Sequence, residues 1–165
     1  MSDINRLGAY FIKGKPMSKE KPTPYQKAIA QKLDIDISSD SKIVASARIR
    51  DIVEPAIKTE STSRFPTQKQ IDFSISIGID IESDSFWVGS AKIDERLSEI
   101  NQKALEELDL KSGDRVSVKK TFEKDGKKHE YEKEYLVSSI GRDQRVYFKG
   151  GRGQCAWPSQ IVKLG

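Results

Sequence analysis

The sequence has a single cysteine, Cys155, among 165 residues. That rules out an internal disulfide and suits a reducing compartment, so a cytoplasmic location is expected. There is a single histidine, and no cysteine–histidine cluster has the spacing of metal ligands. No glycine-rich loop follows a strand and opens a helix, as phosphate cradles do; Gly150-Gly151-Arg152-Gly153 lies between two predicted strands. His129 falls in an alternating strand among charged neighbours, where an exposed or aromatic-packed ring is expected. Cys155 reads as a small core residue. No apolar run approaches the ~20 residues of a membrane span, and the start of the chain lacks an apolar signal region. These absences predict a non-enzymatic protein with no metal, no cofactor and no membrane partner. Asp36/Asp40 and Asp80/Asp84 could bind metal or act as paired acids, but turn and cap duty explains them more simply.

What is present is one pattern written twice. Asp34 to Ile49 and Gly78 to Ile93 align without a gap: Ile35 on Ile79, Asp36 on Asp80, Ile37 on Ile81, Ser39-Asp40-Ser41 on Ser83-Asp84-Ser85, Ser46-Ala47 on Ser90-Ala91. The register extends back to Thr23 on Thr67 and Gln26 on Gln70, always 44 positions apart. A constant offset of this size reads as a duplicated supersecondary unit.

The expected organisation is a flexible basic tail over 1–22, a helix–loop–helix over 23–57, a polar linker over 58–66, a second helix–loop–helix over 67–109 and a small β-barrel over 110–165. In the tail, Ala9-Tyr10-Phe11-Ile12 is the one sticky piece. Thr23 followed by Pro24 is a helix start, Asp40 or Ser41 can cap the second helix, and Pro55 should end it. Gly78 stands where a left-handed residue closes the next helix, and Ile93, Leu97, Ile100, Ala104 and Leu108 mark a long amphipathic one. Beyond residue 110 the period falls to two. Val116 and Val118 alternate in one strand, Asp125-Gly126 signals a hairpin, and His129 to Val137 alternate in a long partner. Further short strands near 145–149, 155–157 and 161–164 predict a small closed barrel, giving an α+β protein.

Charge is uneven. Residues 67–110 carry a net −6 and residues 111–165 a net +6, within a total of +4. A basic module beside an acidic one suggests a polyanion-facing end and a second face for something else. Ser39, Ser41, Lys42 and Ser46, with Arg48 and Arg50, put hydroxyls and cations at a helix N-terminus, the equipment for holding phosphate. In the barrel, Lys119, Lys120, Lys124, Lys127, Lys128, Arg142, Arg145, Lys149 and Arg152 interleave with Tyr131, Tyr135, Tyr147, Phe148 and Trp157. Cations can track a backbone while aromatics stack bases.

Two resemblances follow. Leu110-Lys111-Ser112-Gly113-Asp114-Arg115-Val116 and Gly153-Gln154-Cys155-Ala156-Trp157-Pro158-Ser159-Gln160-Ile161-Val162 resemble the opening turn and the closing strands of SH3-like barrels. The peptide-binding branch would put Trp157 and Pro158 in a proline-rich-ligand groove, but its acidic loop and paired aromatics are missing, so polyproline binding is not implied. Residues 23–54 and 67–98 look like the SAP-type DNA-binding motif, two short helices around an extended loop. Phe86-Trp87 replaces Lys42-Ile43 in the second copy, which implies that packing there has taken the place of DNA contact.

The expected function is therefore a DNA-binding module led by phosphate contacts, with RNA as a second candidate ligand. Lys42, Ser46, Arg48, Lys119, Lys120, Arg145, Tyr147, Lys149, Arg152 and Trp157 are the expected contacts. The small modular build suggests a prokaryotic or phage accessory factor of a nucleic-acid-processing or genome-defence assembly. The alternative is a protein–protein adaptor using the barrel and the acidic second repeat, with Phe86 and Trp87 as its contact pair.

Overall fold

The computed structural model describes residues 20–57 and 65–165. Most of the expected tail, with Ala9 to Ile12, and most of the linker lie outside the described residues. The described chain is mixed α+β. Helices α1 (Pro24–Lys32), α2 (Lys42–Ile57), α3 (Gln68–Ser76) and α4 (Phe86–Leu108) precede β1 (Arg115–Lys124), β2 (Lys127–Ile140), β3 (Val146–Phe148) and β4 (Cys155–Ala156). A 3-10 turn (Pro158–Gln160) and β5 (Ile161–Lys163) close the chain. Two compact units are distinguished, one reaching Leu97 and the other running from Ser98 to Gly165.

In the helical unit the same hydrogen bonds recur at the 44-residue offset. Thr23 and Thr67 each cap a helix in a capping box with Gln26 and Gln70. Each glutamine then reaches the following long helix: Gln26 Nε2 donates to Ser46 Oγ at 2.7 Å and Gln70 Nε2 to Ser90 Oγ at 2.9 Å. Asp34 (φ 54°) and Gly78 (φ 77°) both turn the chain left-handed after a helix. Asp36 and Asp80 each accept from the amide two residues on, and Ser41 and Ser85 each accept from the amide three residues on. Ile37 and Ile81 plug the loops, both buried. Val44, Val88 and Ala91 pack together between α2 and α4. Burying side chains of this size contributes roughly 1–2 kcal/mol each.

Pro55 does not end α2, contrary to expectation; the helical backbone continues to Ile57. So near the C-terminus a missing amide removes only the single bond to the carbonyl of Asp51, which the last turn tolerates.

The second unit is a five-stranded antiparallel sheet in the order β4-β3-β2-β1-β5. It is not closed: β4 and β5 are its edges. Its core is Leu110, Val116, Val118, Val137, Val146, Phe148, Ala156 and Ile161, with Leu105, Leu108 and Tyr135 packed against it. Strand β2 pairs with the whole of β1 through Lys127 to Leu136, and with β3 from Val137 to Ile140, with a register shift between Val137 and Ser139. Asp125 (φ 53°) and Gly126 (φ 70°) form the two-residue loop between β1 and β2. That loop sets Lys124 opposite Lys127 and thereby fixes every pair back to Arg115 and Leu136. The hairpin outruns the core: from Thr121 to Glu134 each described side chain is exposed.

Candidate nucleic-acid interface

The expected contacts on the helical unit are engaged internally. Arg48 holds Asp40 through two bonds, Nε to Oδ2 at 2.7 Å and Nη2 to Oδ1 at 3.0 Å. The Asp40 bond raises the guanidinium pKa further above its ordinary value. Ser46 Oγ accepts from Gln26 and donates to the Lys42 carbonyl at 3.1 Å. Lys42 Nζ lies 3.1 Å from Glu20 in an ion pair about half exposed on both sides. Of these three residues only Lys42 keeps an exposed cation in a pair weak enough for phosphate to displace.

Phe86 and Trp87, the adaptor pair, are half-buried at the start of α4. Their rings meet edge to face at 5.1 Å, and Arg50 of α2 lies 3.6 Å over the Trp87 ring. Trp87 is thus at least partly occupied in joining two helices. The Asp51 carboxylate beneath them accepts from the Ser85 hydroxyl, and burial raises its pKa despite that bond.

In the sheet unit alternation decides the exposure. Val146 and Phe148 of β3 are buried, so Arg145, Tyr147 and Lys149 lie toward the other side. Arg145 sits 4.9 Å over the Trp157 ring and 3.6 Å from Asp143. Tyr147 donates to Asp143 Oδ2 at 3.4 Å, and the Asp143 charge raises the phenol pKa. Gly141 permits this approach, since a Cβ there would collide with Asp143 Oδ1 and lie 2.8 Å from Tyr147 Cε2. Lys149 is exposed beside the loop that carries Arg152. Arg152 is itself exposed at φ 65°, within a run of left-handed residues from Gly150 to Gly153. One outward surface therefore gathers Arg145, Tyr147 and Trp157, with Asp143 bonded to the first two. Lys149 continues the β3 row, and Arg152 follows in the loop.

Lys119 and Lys120 do not share a face. They are adjacent in β1 and lie on opposite faces, Lys119 opposite Glu132 and Lys120 opposite Tyr131. His129 stacks on Phe122 at 5.1 Å. Cys155 is half-buried in β4. Sequence reading also missed the Arg48–Asp40 pair and its counterpart 44 residues on, in which Lys92 Nζ reaches both Asp84 oxygens at 2.8 Å. Among the described residues no group of three or more His, Cys, Asp or Glu could hold a metal ion, and no helix is long and apolar enough to cross a membrane. A cleft of about 720 Å³ beside α1 is lined by Lys21, Lys27, Asp34 and Asp36 among others, a mixture of signs without an acid–base pair.

No protein-family model matches the chain, and neither a curated protein nor a solved structure does.

Proposed function

We propose that the protein is a non-enzymatic DNA-binding module that grips phosphates through the outward surface of its sheet unit. Its build would be two SAP-like helix–loop–helix copies followed by an SH3-like fold whose sheet stays open, serving as an accessory factor of a nucleic-acid-processing or genome-defence assembly. Support for the duplicated unit comes from the hydrogen bonds repeated at 44 residues. Support for the SH3-like fold comes from the strand order, with one 3-10 turn between the last two strands. The observation that carries the function is the row of Arg145, Tyr147 and Lys149 beside Trp157 and Arg152. Cations and aromatics share one surface there. Phosphate contacts set the affinity of such a surface and aromatic rings add base contact.

The test is fluorescence anisotropy of labelled DNA across a salt series, with wild type and with Lys149→Gln/Arg152→Gln. Losing two phosphate contacts should flatten the slope of log K against log salt by roughly 1.4–1.8. Unchanged affinity and slope in the double variant would sink the assignment. A protein partner is the second reading, favoured by Tyr25, Phe65 and Ile75, which are 76%, 73% and 65% exposed on the helical unit.

A further inference from the structure

The β1–β2 hairpin beyond the core is sorted by charge. Its register places Lys120 opposite Tyr131, Phe122 opposite His129 and Val118 opposite Lys133, all on the face that continues the core. Lys127 ends that face at the turn. The other face carries Lys119 opposite Glu132, Thr121 opposite Glu130, Glu123 opposite Lys128 and Ser117 opposite Glu134. Every glutamate of the arm is therefore on one side, and no paired position of the core-side face carries a carboxylate; Asp125 lies in the turn beyond it.

The rings on that face form a continuous row. Phe122 is 47% and Tyr131 44% exposed. Phe122 stacks on His129 and meets Tyr131 edge-on at 5.8 Å. Toward the core, Lys120 and Lys133 lie 5.1 and 5.4 Å over the Tyr135 ring, which also stacks on Phe148 at 4.4 Å. Same-face positions along a strand are ~7 Å apart, so Lys133 to Lys127 gives a platform of about 20 Å.

We infer that this face of the arm is a stacking platform for a single-stranded nucleic acid. The inference rests on the nucleic-acid reading above and adds a strand form and a site to it. Aromatic faces open to solvent match unpaired bases, whose π-faces are free; a duplex hides those faces within its own stack. The lysines bracket the row where a backbone would run, and the absence of carboxylate removes the repulsion that the opposite face would impose. An acidic peptide would answer the lysines but leave the rings unused.

Three full-length variants test it by anisotropy with labelled single-stranded DNA, single-stranded RNA and duplex DNA at ~0.15 M salt, where exposed charges act over about 8 Å. Phe122→Leu/Tyr131→Leu keeps apolar cross-strand contact and removes the π-faces; single-strand affinity should fall about tenfold. Lys127→Glu/Lys133→Glu should lower it at least as much. Lys119→Glu/Lys128→Glu makes the same charge change mainly on the other face and should cost less than threefold. Matched melting curves confirm that each variant folds. Equal losses from the two lysine pairs, no loss from the leucine pair, tighter duplex than single-strand binding, or equal competition by poly-glutamate would each overturn the inference. Wild type that binds while the arm variants bind equally well leaves the outward-surface proposal standing and removes this one. Wild type that binds no nucleic acid at low salt removes both.

Discussion

The helical unit and the β1–β2 arm treat charge in opposite ways. In the helices, cations close on carboxylates: Arg48 on Asp40, Lys92 on Asp84, Arg50 on Glu54. Those pairs hold a loop to the helix that follows it or brace one turn of a helix. In the arm, the strand period sorts the charges instead, so lysines on one face stand beside rings and the glutamates lie behind them. A count of basic residues therefore says little about ligand binding. What matters is whether each cation has a carboxylate on its own side.

Asp94 of α4 is the exception within the helical unit and the source of the largest expected effect. Burial pushes its carboxyl up to about 7, with no cation offsetting the shift. An unfolded Asp94 ionises near 3.8 and the folded one about three units higher, so between those values the folded state holds the extra proton. Stability contributed by this group is full below pH ~4, falls as pH rises toward 7 and is lost above it. Three units correspond to about 4 kcal/mol before any relaxation. Asp94→Asn should thus melt like wild type near pH 3, where both states are protonated, and be more stable by about 4 kcal/mol at pH 8. Equal stability at pH 8 would show that the helical unit accepts an unpaired charge, and the contrast with the arm would weaken.

Gln70 tests the same unit through neutral bonds. It is 2% exposed, completes the Thr67 capping box and donates to Ser90. Gln70→Ala leaves the Thr67 amide and the Ser90 hydroxyl without this partner, at a cost of about 2 kcal/mol in chemical denaturation. Gln26→Ala, where the equivalent bonds are more exposed, should lose about half as much. Folded Gln70→Ala should bind DNA as wild type does. A binding defect without a stability defect would mean that this network faces a ligand.

Much of this was legible in the sequence, because local chemistry dictated it. Thr-x-x-Gln written twice gave both capping boxes, and the constant offset carried the loops with it. Asp125-Gly126 fixed the hairpin turn, and from that turn every cross-strand pair follows by counting outward. The sorting of Lys120 from Lys119 is therefore derivable from the turn, whereas a count of neighbouring lysines hides it. Other features needed tertiary geometry. Asp40 and Arg48 are eight residues apart across a loop–helix junction, a spacing no helical rule brings together. The run of α2 through Pro55 and the open edges of the sheet likewise depend on how the ends of elements are accommodated, which residue type alone leaves undetermined.

Arg48 gives the smallest energetic effect and the most direct comparison of the two regions. Its side chain is 37% exposed while that of Asp40 is 7% exposed, so removing the guanidinium leaves a largely covered carboxylate unpaired. Solvent screening of the arginine reduces the cost, and Arg48→Gln should lose about 1 kcal/mol of stability. The single-strand affinity should stay within about twofold, because a cation already held by two bonds has little left to offer a phosphate. Lys127→Glu/Lys133→Glu should show the reverse, with stability kept and affinity lost. If Arg48→Gln instead abolished binding while folding was intact, the Asp40 pair would be a resting state that nucleic acid displaces. Phosphate recognition would then belong to the start of α2, and the arm would be reduced to a charged ribbon.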